Sequence, residues 1–261
     1  MKNSLQSITT PAVLIRRLDY GDFDLIVTFL TAEKGKVTTI AKSAKRSTKR
    51  FSGILELFYF LDVVIHMGKG KGLPVLSEAS LRKPTDHIGS DIVKTAYASY
   101  WTELVNDWVE AGQRQNELYG LLTFVLDALN AGTIPEEILS IFFQMRFLSL
   151  SGLCPNLNQC SACDTDVEDT GRQPLTVDLA QGGLICERCA TYVSEAHCLS
   201  QGTVKQLRWL NEGDMRKALR IRFSRQALQE SQSFLEAFVP YHMGREPKSL
   251  RFLRKIRAPR K

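Results

Sequence analysis

Two Cys-x-x-Cys pairs carry the clearest chemistry in this chain: Cys160 with Cys163 and, after 22 intervening residues, Cys186 with Cys189. Two thiolates separated by two residues on a tight turn can ligate one ion. Two such turns complete a tetrahedral four-sulfur shell with bonds of about 2.3 Å. Small or turn-forming residues accompany them, Ser161 and Ala162 inside the first pair and Gly182 and Gly183 ahead of the second. The spacing predicts one structural zinc ion. It leaves open an iron–sulfur cluster, four free thiols, or a shell in which His197 or Cys198 replaces a member of the second pair. Cys154 and Cys198 lie outside the pairs and are expected to be buried as small apolar residues. Residues 151–200 are net −5, with Asp164, Asp166, Glu168 and Asp169 following the first pair. Such a surface repels phosphate, so the ion is expected to organise a small fold rather than to touch a polyanion.

The second chemistry is charge. The chain is net +5 over residues 1–80, −4 over 81–150, −5 over 151–200 and +10 over 201–261, which together give the +6 of the whole chain. Two basic ends flank an acidic middle, the distribution expected of a protein that meets a polyanion. The bland reading is solvated surface charge. Lys42, Lys45, Arg46, Lys49 and Arg50 lie in one acid-free stretch that ends at Phe51. With Phe51, Arg16, Arg17 and Lys36 they form the predicted DNA-binding set, which Lys34, Lys69 and Lys71 extend. Cations neutralise phosphates while aromatic rings stack bases. Phe23, Phe29, Phe58, Tyr59 and Phe60 are candidate stackers, although alternation along strands sends most of them into a core. Near the other end Arg245, Lys248, Arg251, Arg254, Lys255, Arg257, Arg260 and Lys261 recur every three or four residues, with Leu250, Phe252, Leu253 and Ile256 between them. If helical, this gives a charged face beside an apolar one, with Arg251, Arg254, Lys255 and Arg257 as candidate partner contacts.

Machinery for making or breaking covalent bonds is not visible. No G-x-x-x-x-G-K-[ST] loop or H-E-x-x-H motif occurs, and the four histidines are scattered. Asp19, Asp22 and Asp24 surround Gly21 and read as a polar turn rather than a magnesium site. The expectation is a non-catalytic protein. The longest apolar stretch, 54–67, is interrupted by Glu56, Asp62 and His66, too short and too polar to span a bilayer. With a polar N-terminus and six unpaired-looking cysteines, a reducing, cytoplasmic and nucleoid-associated setting is expected.

The elements that must position these residues change character along the chain. Residues 12–18, 25–32, 36–41, 54–67 and 73–80 are rich in Val, Ile, Leu, Phe and Thr and are separated by glycine turns, which predicts strands of a small closed barrel. From Ser90 the apolar period becomes helical, with Ile92, Ala96, Tyr100, Leu104 and Trp108 at i+4. Further helices are expected over 117–129, from Pro135 to Gly152, over 200–211 and over 226–238. One short strand is expected over 175–179. The fold class predicted is α+β and multidomain: an N-terminal OB-fold barrel (1–82), a helical domain in two parts (83–153 and 200–261, the second with a basic tail), and an embedded four-cysteine zinc module (154–199).

The order of these features, with the phrases Tyr100-Trp101-Thr102-Glu103-Leu104, Leu118-Tyr119-Gly120-Leu121-Leu122 and the run from Gln144 through Arg146 to Pro155 that leads into Cys160, resembles the RecO family of bacterial recombination mediators. Asp19-Tyr20-Gly21-Asp22, the run from Thr31 to Lys36, and Ala41-Lys42-Ser43-Ala44 are similar to that family's opening. The resemblance covers nearly the whole chain. It implies an OB-fold, a helical domain and a zinc element, and binding to single- and double-stranded DNA with annealing of complementary strands. It further implies partnership with RecR, contact with the acidic C-terminal tail of single-strand-binding protein (SSB), and indirect help in loading RecA. The family's DNA contacts map to the 42–50 loop and its zinc ligands to the four paired cysteines. The competing reading is a zinc-ribbon nucleic-acid interaction module in transcription or RNA handling.

Overall fold

A computed structural model describes residues 6–51, 53–68, 72–166, 174–190 and 197–258. Lys69, Lys71, Glu168, Asp169, Arg260 and Lys261 lie outside the described residues. The chain divides into two compact units, residues 1–131 with 252–261 and residues 132–251.

The first unit begins with five strands: β1 (Gln6–Tyr20), β2 (Asp24–Thr31), β3 (Gly35–Ala41), β4 (Phe60–Met67) and β5 (Val75–Lys83). They close into a barrel in the order β1-β2-β3-β5-β4, the predicted OB-type topology. The long β1 serves two neighbours, pairing with β4 through its first half and with β2 through its second, and a bulge between Leu14 and Arg16 bends it between them. Closure is narrow: Ile40 pairs in parallel with Val75, and its amide donates to the Pro74 carbonyl at 2.9 Å. Strict alternation in β3 sends Val37, Thr39 and Ala41 inward, where they meet Leu14, Val27, Phe29, Val63 and Ile65.

The expected strand over 54–67 is a strand only from Phe60. The preceding residues make turns, with Ile54 N donating to Phe51 O and Tyr59 N to Glu56 O, and Phe58 adopts φ +71°. Behind the barrel follow α1 (Asp86–Gly89), α2 (Ile92–Trp108) and α3 (Asn116–Ala131). Asp91 caps α2 by accepting from the amides of Val93 and Lys94, satisfying donors that a helix start leaves orphaned. The β2–β3 turn needs its glycine. Gly35 has φ +60°, and a Cβ there would lie 1.7 Å from the Gln113 carbonyl oxygen.

The second unit is built around α4 (Glu136–Leu150), whose Leu139, Ile141, Phe142, Phe143, Met145, Phe147 and Leu148 are all buried. A helix apolar on every side must be surrounded, and α5 (Gln201–Asn211) and α7 (Arg225–Met243) both pack on it. A single turn, α6 (Met215–Ala218), separates those two. Arg146, part of the family-like phrase, donates to the carbonyls of Leu210, Glu212 and Gly213 and so caps the C-terminus of α5. Where one short strand was expected, three form a sheet in the order β7-β6-β8: β6 (Leu175–Asp178), β7 (Gly183–Ile185) and β8 (His197–Leu199). The basic tail is helical in α8 (Lys248–Arg257), with Leu250 and Leu253 buried, and the division between the two units falls within this helix after Arg251.

Candidate metal centre and nucleic-acid interface

The β6–β7 hairpin and the loop before it place the four paired cysteines together. Asn156 and Gly183 form a bridge, with Leu184 N donating to Asn156 O, and a Cβ on Gly183 would stand 2.5 Å from that oxygen. This close approach brings the first knuckle against β7, where Ser161 N donates to Leu184 O. Cys160 N donates to Thr165 O and Asp164 N to Cys160 O, with Asp164 at φ +57° turning the chain. The second knuckle is closed by Cys189 N and Ala190 N, both donating to Cys186 O.

The sulfurs of Cys160, Cys163, Cys186 and Cys189 all lie within 4.8 Å of one another. Those of Cys163 and Cys186 are 3.7 Å apart, and a tetrahedral shell with bonds of about 2.3 Å needs sulfurs about 3.8 Å apart. The Cys186 amide donates to the Cys160 sulfur at 3.3 Å, the kind of contact that stabilises a thiolate. Hydrogen bonds from the Thr165 hydroxyl and amide draw the Cys163 thiol down to about 6. The hydrogen bond with Cys186 pushes Cys189 up to about 12. Four convergent soft donors of this kind fit one metal ion. His197 and Cys198 are not members of the cluster. Cys198 and Cys154 are both exposed, against the expectation of burial. Cys198 sits on β8 with its side chain turned outward, and the Cys154 sulfur accepts from the Asn211 side-chain amide at 3.2 Å.

The basic loop of the barrel is ordered by anions and an aromatic ring on the β1–β2 turn. Asp24 accepts from Ser43 N at 2.7 Å, and Lys45 N donates to Phe23 O at 3.0 Å. The Lys45 ammonium lies 3.2 Å from Asp19, and the Arg46 guanidinium stacks 3.3 Å from the centre of the Phe23 ring. The Asp19–Asp24 turn therefore works as a clamp for the loop, a role that depends on tertiary contact and has no sequence signal. Arg50 donates to the Lys42 carbonyl at 2.8 Å.

The predicted set divides. Arg16, Lys42, Lys45, Arg46, Lys49 and Arg50 are exposed. Arg17 is exposed too, but its guanidinium is held by Glu56 at 2.7 Å and by the Leu55 carbonyl. Lys36 donates to the Asn106 carbonyl at 2.6 Å, and burial pushes its pKa down. It ties β3 to α2 and is not a free phosphate contact. Phe51 is 2% exposed and belongs to the barrel core, so its ring cannot stack a base. Phe29, Phe58 and Phe60 are buried as well, and the Tyr59 hydroxyl donates to Asp86. Two exposed rings remain at the β1–β2 turn that clamps the loop: Phe23 and, missed in the sequence, Tyr20, which is 53% exposed. The alternation of Arg16, Leu18 and Tyr20 on β1 could have revealed it, since cross-strand partners Thr28, Ile26 and Asp24 put all three on one face. On α8, Arg251, Arg254 and Lys255 are exposed, and Arg251 lies 3.4 Å from Glu246. Arg257 is half-buried, 5.9 Å from the centre of the Tyr97 ring.

Comparison with known proteins agrees with this architecture. Residues 4–85 match the N-terminal domain of recombination protein O and residues 89–251 its C-terminal domain. The chain is 45% identical over 251 residues to a DNA repair protein RecO from Desulfatibacillum aliphaticivorans, covering 96% of this chain and 97% of that one. It is 40% identical to the RecO of Desulfosudis oleivorans, over 97% of this chain and 99% of that one. With the RecO of Anaeromyxobacter sp. (strain K) the identity is 34%, over 97% and 98% of the two chains. The chain belongs to the RecO family.

Proposed function

We propose that this protein is a non-catalytic recombination mediator in DNA repair. It binds single- and double-stranded DNA, anneals complementary strands and, with a RecR partner, assists RecA loading onto SSB-coated single strands. The observation that carries the reading is full-length membership in the RecO family, both domains matched in order. The barrel supplies the physical support. Arg16, Lys42, Lys45, Arg46, Lys49 and Arg50 can neutralise phosphates, releasing condensed counterions, while Tyr20, and the face of Phe23 that Arg46 does not cover, offer rings to unpaired bases. The basic face of α8, through Arg251, Arg254 and Lys255, is the proposed contact for the acidic SSB tail.

The four paired cysteines hold one zinc ion in this reading, and a bound zinc supplies cross-linking of the two knuckles. Cys160 and Cys186 anchor it from the buried side, Cys163 and Cys189 close it from outside, and the backbone amides of the knuckles orient the sulfurs. No helix among the described residues is long and apolar enough to cross a membrane.

The decisive assay is annealing of complementary strands on SSB-coated DNA, with and without RecR, alongside metal quantification. Replacing Lys45, Arg46, Lys49 and Arg50 together with alanine is expected to weaken single-strand binding and shallow its salt dependence, by up to four phosphate contacts. Unchanged affinity across salt would take the loop out of the interface.

A further inference from the structure

The most exposed tryptophan of the chain lies in the second unit, on a helix that supplies none of the proposed DNA or protein contacts. Trp101 is fully buried and Trp108 half-buried, but Trp209 on α5 is 53% exposed. An indole left in water on a well-packed helix calls for a reason, because its face is the largest apolar plane a side chain can offer. Lys205 precedes it by four residues, on the same helix face, and is exposed.

The chain that follows brings more cations to the same neighbourhood. Arg146 holds the turn after α5 through three carbonyls, so the direction in which the chain leaves Trp209 is fixed. Asp214 then caps α6, accepting from the amides of Arg216 and Lys217. Helical turns continue past α6, with Leu219 N donating to Met215 O and Arg220 N to Lys217 O, which puts Arg216 and Arg220 on one side. The Gln206 side chain donates to the Arg222 carbonyl at 3.2 Å and lays this connector back along α5. Arg216, Lys217, Arg220, Arg222 and Arg225 are all exposed. Among the described residues neither they nor Lys205 form an ion pair. The acids nearest in sequence are Glu212 and Asp214, and Asp214 is occupied by its cap.

We propose that Trp209, together with Lys205, Arg216, Lys217, Arg220 and Arg222, forms a second single-stranded polynucleotide site, with a base stacked on the indole and the backbone running along the cations. The inference rests on the proposed DNA-binding function and adds a site on the other unit. Five cations distributed along the chain match a repeating phosphate backbone better than a single carboxylate terminus, and an indole is the ring on which bases stack without regard to sequence. A strand on each unit would raise the local concentration of two complements, as annealing requires.

The test is titration of the full-length protein with oligo(dT) at low salt, following tryptophan emission and the anisotropy of the labelled strand together. Stacking on Trp209 quenches the emission, and Trp209→Phe removes that quench while keeping most of the affinity. Trp209→Ala, combined with the four-residue alanine variant of the barrel loop, lowers the remaining affinity about tenfold. A circular dichroism melt matching the wild type shows that the variants are folded. Binding by anisotropy without quenching, and with Trp209→Ala indistinguishable from wild type, would overturn the second site and leave the barrel site standing. No binding by either signal would instead bring down the DNA-binding reading itself. An acidic peptide ending in an apolar residue that quenches Trp209 when oligo(dT) does not would assign the patch to a protein partner and overturn the proposal.

Discussion

The barrel and the cysteine module are both small β structures, yet they are held together by different physics. The barrel encloses thirteen buried residues, from Ala12 to Leu76, with Phe29 and Phe51 among them. Around the cysteines the buried cluster is Cys160, Ile185 and Cys186, two of whose three members are proposed metal ligands. Burial at about 25 cal/mol per Å² can sustain the first. Around the knuckles burial is smaller, so with the proposed metal bound they would rely on ligation, while Leu175, Val177, Leu184 and Leu199 bury the three short strands. The same contrast separates function from support: the barrel can afford exposed cations and rings because its interior is sufficient without them.

The largest effect that would break this comparison is loss of the ion. Chelation, or Cys186→Ser, is expected to take metal content from one equivalent to none and to remove amide-exchange protection at Leu184 and Cys186, whose amides bond to Asn156 and Cys160. Ligation in zinc-finger peptides is worth about 10–16 kcal/mol, more than this cluster's burial can replace. Protection in β2 and β3 should not change. Simultaneous loss in both places would mean that the barrel is not self-sufficient.

Next in size is Phe51→Ala, expected to destabilise the barrel by about 3–5 kcal/mol in urea denaturation. At a temperature where the variant remains folded, single-strand affinity should stay within about twofold of wild type. A ring that stacked bases would show the reverse pattern.

Smaller again is Gly35→Ala. The positive φ alone costs about 1–3 kcal/mol, and the 1.7 Å approach to the Gln113 carbonyl forces the 112–114 segment to move as well. The expected outcome is a lower barrel midpoint with full metal content in the cysteine module. A variant as stable as wild type would show that the turn relaxes freely.

What the sequence made legible follows the same division. Period-two burial in β3 follows from one face of the strand being dry. In α2 the i+4 series Ala96, Tyr100 and Leu104 is buried as expected, but Ile92 is exposed and burial spreads to Tyr97, Ala98, Trp101 and Val105. The four-cysteine cluster was legible because ligand geometry restricts spacing. Features set by distant partners were not. Phe51 follows five cations in sequence and looks like part of their surface, yet it is buried in the barrel core, its carbonyl accepting from Ile54 N. Asp24 reads as a turn former, and its use as an acceptor for Ser43 N needs a loop 19 residues away. Residues 54–59 have strand composition, but Phe58 at φ +71° breaks the extended path before β4 begins. Cys154 and Cys198 follow no rule of composition, since exposure of a small thiol depends on what packs over it.

The smallest expected effect concerns how the module is fastened when the metal is not the variable. β8 runs into Ser200, the cap of α5, and Glu230 on α7 accepts from the Ser200 amide and hydroxyl and from Thr203, while Gln226 donates to its other oxygen. Beside it the Ser233 hydroxyl lies 3.4 Å from His197 Nδ1. Burial pushes the Glu230 carboxyl up, but the hydrogen bonds from Thr203, Ser200 and Gln226 outweigh it and hold the group below the usual glutamate value. A carboxyl depressed in the folded state contributes stability at pH above its unfolded value of about 4.3, and that contribution disappears as pH falls through the folded value. Glu230→Gln should therefore lower Tm by about 2–4 °C at pH 7, and the gap from wild type should shrink as the pH is lowered below about 4. Because the metal's thiolates also protonate in acid, the comparison is made between the two proteins at each pH, where that common loss cancels. A gap that stays constant down to acid pH would assign the effect of Glu230 to packing rather than to charge.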